Sequence, residues 1–186
     1  MKFSNDQIPP VFYSDLQAKP LENCVMCGKD VLHSNEVYMI EKVIKNGRSE
    51  SEYAICFTCA SKMKGNMSVE SEANLAAYFE SNPRLKSMQD FYEGEEEVAV
   101  DDLLKCCLIK GTPVSELDEY QLGGVFKGDK LYPAALPFVL SLEAMMEIND
   151  LLSAETKREL DDFIDEIDDL PPEWKEIFKT KKPLLV

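Results

Sequence analysis

Apolar and polar residues alternate in two different rhythms along this chain. From Glu36 to Lys45 the run EVYMIEKVIK is rich in β-branched and aromatic residues; Asn46-Gly47 follows as a hairpin turn signal, and Tyr53-Ala54-Ile55 returns as a second strand. Phe57 to Lys64 then reads as a short helix closed by Gly65 as its C-cap. A second hairpin is predicted from Tyr120 to Tyr132 around the Lys127-Gly128-Asp129 turn, with Gly123-Gly124 lying in a strand and not in a phosphate loop, since the P-loop pattern is absent. Elsewhere the period is helical. Ser68 caps a helix through Glu80, and Asn82-Pro83 starts another to about Tyr92. Ser141 caps Leu142 to Leu152, with Met145, Met146 and Ile148 expected in the core, and Ser153 caps Ala154 to Asp168. Pro171-Pro172 restarts a last helix through Phe178 that carries the single tryptophan, Trp174.

Composition narrows the setting. The chain has 186 residues, 45% hydrophobic and 30% charged, enough apolar content to bury a core. Its longest apolar run, around Leu131 to Leu142, is broken by Pro133 and Pro137 and falls short of the roughly 20 residues of a membrane helix. The stretch from Met1 to Pro10 lacks the continuous apolar core of a secretory signal, so a cytoplasmic protein is expected. Acidic residues number 35 against 20 basic, a net charge of −15. Up to Lys19 there are two of each sign, and from Pro20 to Asn66 six of each, so the whole excess lies from Met67 onward. That surface repels phosphate backbones and anionic lipid, which argues against nucleic acid and membrane as partners and leaves protein as the expected one.

The cysteines add chemistry. Cys24-Val25-Met26-Cys27 and Cys56-Phe57-Thr58-Cys59 are two CxxC pairs, and in a reducing compartment such pairs point to a metal rather than to disulfides. Two residues between thiolates let a tight turn aim both sulfurs at one ion, and two such turns close a tetrahedron of soft ligands. Gly28, directly after the first pair, supplies a left-handed position that turns backbone N–H groups toward the sulfurs. Knuckle, hairpin, then a ligand pair at a helix start resembles the treble-clef zinc fingers over residues 24–65. The resemblance implies that Cys24, Cys27, Cys56 and Cys59 ligate one structural Zn²⁺, and it implies no activity. The fold class expected is α+β: a small treble-clef-like zinc module (knuckle, β-hairpin, short helix) followed by a mainly helical part containing one β-hairpin. The expected organisation is an N-terminal extension over 1–19, the zinc-binding module over 20–66, an acidic, mainly helical domain over 67–180 with its hairpin near 120–132, and a tail over 181–186.

Other candidates are weaker. Rubredoxin-type iron sites resemble the first knuckle, but they repeat the glycine after the second pair, where Ala60 stands here. His33, the single histidine, reads as a turn residue between knuckle and hairpin. Cys106 and Cys107 lie in the apolar run LLKCCLI and read as small core residues. Glu93 to Glu97 reads as a solvated loop. No catalytic constellation is legible from spacing and no catalytic residue is named, so a non-enzymatic zinc-stabilised interaction or adaptor protein leads. The alternatives are an enzyme or accessory using carboxylates such as Asp101, Asp102, Asp118 or Glu119 between the two parts, iron electron transfer, and nucleic-acid binding through Lys29, Lys42, Lys45, Arg48, Lys62 and Lys64.

Overall fold

The alternating runs pair as strands of one antiparallel sheet. In the computed structural model, which describes residues 3, 6–65, 67–87, 99–166 and 172–180, these are β1 (Val37–Lys45), β2 (Arg48–Cys56), β3 (Glu119–Lys127), β4 (Lys130–Leu131) and β5 (Phe138–Ser141). The order is β2-β1-β3-β4, with β5 also paired to β3. Asn46 and Gly47 form the two-residue turn between β1 and β2 at φ 50° and 74°, the left-handed pair whose twist matches a hairpin. The register passes from Val43↔Ser51 to Ile44↔Ser49, so Glu50 is an extra, bulged residue. β1 also pairs with β3 along its whole length, from Val37↔Lys127 to Lys45↔Glu119. The two hairpins expected from the sequence are thus halves of a single sheet, and the ladder runs between the 20–66 segment and the chain beyond it. The apolar run before Leu142 supplies β5, a strand that periodicity does not single out.

Among the described residues seven α-helical segments accompany the sheet: α1 (Phe57–Lys64), α2 (Val69–Ser81), α3 (83–87), α4 (Val100–Leu103), α5 (Leu142–Asp150), α6 (Ala154–Asp165) and α7 (Pro172–Thr180). The expected caps are in place. Ser68, Ser141 and Ser153 each accept an N–H from the third residue on, and Asn82 Oδ1 accepts from Arg84 and Leu85. Gly65 closes α1 but in the right-handed region, at φ −60°, so the left-handed freedom of glycine is not used there. The end of the helix expected to reach Tyr92, the Glu93–Glu97 run, residues 167–168 and the tail 181–186 lie outside the described residues. Among the described residues no helix is long and apolar enough to cross a membrane.

Each face of the sheet has its own cover. On one, Tyr38, Ile40, Phe126 and Leu122 are buried beneath the N-terminal segment: Phe12 is fully buried, packs edge-on against Phe126 at 5.0 Å, and lies over Gly124. The same segment extends the sheet edge, with Ile8 N–H donating to Asp129 O and Leu131 N–H to Asp6 O. The other face carries Glu41, Tyr53 and Gly123. There Phe138 covers Gly123 so closely that an added Cβ would stand 2.2 Å from its Cζ, and Trp174 of α7 packs edge-on against Tyr53 at 5.6 Å. A second apolar cluster joins Cys107, Ile109, Leu140, Ala144 and Ile148 to Leu75 and Phe79 of α2. Of the methionine pair expected there, Met145 packs against this cluster but Met146 is 59% exposed, because it lies on the solvent side of α5.

Candidate metal centre

Residues 24–29 fold back on themselves as a knuckle. Cys24 N–H donates to Lys29 O and Gly28 N–H to Cys24 O, both at 2.8 Å, and Asn23 pairs with Asp30 across the turn. Gly28 sits at φ +68° with no atom near its missing Cβ, so the glycine is required by backbone conformation and not by space. Its own N–H is used to close the turn. The N–H donors that reach the Cys24 sulfur come from Met26, Cys27 and Cys56, the last at 3.4 Å.

The knuckle is tied to the hairpin by backbone as well as by sulfur. Val25 N–H donates to Ala54 O at 2.8 Å, and Cys24 bridges Ala54 in parallel. Two residues beyond Ala54, β2 ends at Cys56, which is the N-cap of α1; Cys59 lies in the first turn of the same helix. All four sulfurs of Cys24, Cys27, Cys56 and Cys59 therefore converge within 4.8 Å of one another, close enough to hold one metal ion. Cys27 and Cys56 are 3.8 Å apart at sulfur. A tetrahedron with metal–sulfur bonds of about 2.3 Å has edges of about 3.8 Å, so the donor set and its spacing fit a tetrahedral thiophilic ion.

The electrostatics of the cluster call for a cation. Burial works against a thiolate at Cys24, yet the N–H donors of Cys56, Cys27 and Met26 outweigh it and bring its pKa down. Burial pushes the Cys56 and Cys59 thiols up, and the neighbouring Cys24 sulfur adds to both shifts. A positive ion at the centre would offset this mutual repulsion.

The other sequence candidates lie apart from this cluster. His33 is exposed and faces Asp30, its ring Nδ1 3.1 Å from Oδ2. Cys107 is fully buried and its sulfur accepts N–H bonds from Ser141 at 3.3 Å and Lys110 at 3.4 Å, so it packs as expected; Cys106 is half-buried beside Pro113. Asp101 and Asp102 are exposed in α4, Asp118 is exposed before β3, and Glu119 pairs with Lys45 at 3.2 Å; these carboxylates are spread over separate elements. Lys42, a candidate for phosphate contact, is buried. Its ammonium donates to Tyr13 O at 2.7 Å and Asp15 Oδ1 at 2.5 Å and lies 3.3 Å from Glu52 Oε2. Sequence reasoning missed this triad, although Lys42 continues the inward Tyr38, Ile40 register of β1 and was legible as buried on that ground. No protein-family model, no curated protein and no solved structure matches this chain.

Proposed function

We propose that Cys24, Cys27, Cys56 and Cys59 hold one structural Zn²⁺ in a treble-clef-like module, and that the chain is a non-enzymatic protein whose role is to bind another protein. The observation that carries this reading is the closure of the site: four sulfurs within 4.8 Å fill a tetrahedron and leave no coordination position for water or substrate. The order of knuckle, hairpin and ligand-bearing helix start supports the treble-clef comparison. The second CxxC pair opens α1 instead of forming a second knuckle, which weighs against a rubredoxin-like iron centre. Two CxxC pairs used as metal ligands suit a reducing, cytoplasmic setting.

Protein is favoured over nucleic acid because half of the six basic residues of the module are held in ion pairs. Lys42 is locked in its triad, Lys45 is paired with Glu119, and Lys29 with Glu36. Next to the metal ligands, Phe57 stands 66% exposed on α1, an aromatic held on a rigid element as protein-binding anchors are. Site-specific photo-crosslinking in the source cell tests the reading. A crosslinker at position 57 is expected to trap a discrete protein partner, and Cys59→Ser should abolish the adduct by releasing α1. Equal crosslinking from position 57 and from a polar site such as Lys127 would count against it.

A further inference from the structure

We infer that the four-sulfur site is also a peroxide-sensitive release device, with Cys27 as the sulfur attacked first and Cys56 as its disulfide partner; the inference rests on the structural-zinc reading. Access selects the first sulfur. Cys24, Cys56 and Cys59 are 1%, 2% and 9% exposed, whereas Cys27 is open to solvent on the outer side of the knuckle. A peroxide molecule must approach the sulfur it oxidises in line, and Cys27 is where that approach is free.

Cys56 lies within reach as the partner, and the backbone tie between the two segments favours it. Cys56 Sγ is 3.8 Å from Cys27 Sγ, so closing a bond of about 2.05 Å requires the two sulfurs to approach by only about 1.8 Å. The backbones that carry them are already fastened to each other, because Val25 N–H holds Ala54 O two residues before Cys56. In the first step the Cys27 thiolate attacks one peroxide oxygen, the O–O bond breaks, hydroxide leaves, and Cys27 becomes a sulfenic acid. In the second, the Cys56 thiolate attacks that sulfur, the S–O bond breaks, and a second hydroxide leaves. Two thiolates and one hydrogen peroxide thus give one disulfide and two hydroxides, with two electrons passed from sulfur to peroxide. Cys24 and Cys59 then remain as the available ligands, and two thiolates do not complete the tetrahedral set. The covalent link replaces the metal as the tie between knuckle and α1, so release of the ion leaves the local backbone joined.

The test begins with the zinc-loaded full chain, titrated with hydrogen peroxide while a chromogenic chelator reads free zinc and differential alkylation with peptide mass spectrometry maps the disulfides. The expected result is one zinc released per Cys27–Cys56 disulfide, with dithiothreitol and added zinc restoring the starting state. Cys106→Ser should release at the wild-type rate, and Cys27→His, which keeps a three-cysteine, one-histidine ligand set, should release at least about tenfold more slowly. A disulfide mapped to Cys24–Cys27 or to Cys106 or Cys107, or unchanged release from Cys27→His, would overturn the inference. If Cys27→His does not load zinc, the disulfide map of the wild-type chain decides alone. A starting chain with no zinc would sink the structural-zinc reading, while the peroxide-induced disulfide map would still say whether Cys27 and Cys56 pair.

Discussion

Stripping the metal should melt the knuckle and spare the sheet. Apart from the ligand Cys24, the knuckle side chains that bury on folding are Met26 at 7% exposure and Val31 at 0%; at about 1.5–3 kcal/mol for each, they contribute about 3–6 kcal/mol. Ordering the roughly ten residues from Glu22 to Val31 costs about 10 kcal/mol or more, so the segment falls several kcal/mol short of holding itself in place. A structural zinc, which contributes about 10–16 kcal/mol in isolated finger peptides, covers that gap. β1 stands in a different position, because it is paired on both sides, with β2 and along all of β3, and Tyr38 and Ile40 are buried against Phe126 and Leu122 without help from the ion. Amide hydrogen exchange on the chelated protein, or on Cys24→Ser, separates the two regions. The amides of Cys24, Val25, Gly28 and Val31, all hydrogen-bonded at 2.8 Å in the folded knuckle, should lose protection, while those of β1 and β3 keep it. Collapse of protection along β1 and β3 would show that the sheet depends on the metal, and unchanged protection in the knuckle would show that the metal is dispensable; either result refutes the reasoning.

Gly123→Ala should destabilise the chain by about 2 kcal/mol or more in urea unfolding, since the new methyl lands 2.2 Å from Phe138 Cζ, whereas Gly28→Ala should cost only about 1–2 kcal/mol of left-handed backbone strain; equal effects would contradict the geometry. Lys42→Met should cost about 3 kcal/mol by leaving the Asp15 and Glu52 carboxylates facing each other without their cation, and a loss under about 1 kcal/mol would show the triad to be incidental. Hydrogen bonding from Lys42 holds the Asp15 carboxyl below its ordinary value. Burial opposes ionisation of Glu52, but the Asp15 N–H, the Ser14 hydroxyl and Lys42 overcome it and lower that carboxyl as well. The stability these two groups lend is therefore complete above an unfolded-state pKa of about 4 and is lost as pH falls through their lower folded values, and Glu52→Gln should flatten that acid limb of the stability curve. Labelled DNA and RNA oligonucleotides should show no appreciable binding at about 150 mM salt; micromolar, steeply salt-dependent binding lost on Lys62→Glu/Lys64→Glu would make the module a nucleic-acid reader.

Local chemistry was the most legible part of this chain. Asn46-Gly47 named its turn, Phe57–Lys64 its helix, and the CxxC pairs their four sulfurs, because each is decided by residues close together in sequence. Long-range pairing was not legible. Nothing in Glu36 to Lys45 says that a strand eighty residues later will lie beside it, and the buried hydrophobic run that became β5 carries no alternation, since it is covered on both faces. The helix caps show the same boundary. Ser68 and Ser153 were readable as separate N-caps, but in the fold they complete each other: Ser68 N–H donates to Thr156 Oγ1 at 2.8 Å and Ser153 N–H to Ser71 Oγ at 2.9 Å, so the starts of α2 and α6 are joined through hydroxyls that sequence spacing cannot bring together. The inward register of Lys42 is legible but its partners are not, since the carboxylates that make its burial tolerable come from residue 15 and from the neighbouring strand.

X-ray absorption at the zinc edge on the purified chain tests the central claim most directly, because it reads the ion and its ligands together. The convergence of Cys24, Cys27, Cys56 and Cys59 predicts one zinc per chain with four sulfur neighbours at about 2.3 Å and no oxygen or nitrogen in the shell. Absence of zinc, an iron edge with thiolate charge-transfer colour, or a shell with an oxygen in place of one sulfur would contradict the closed structural site.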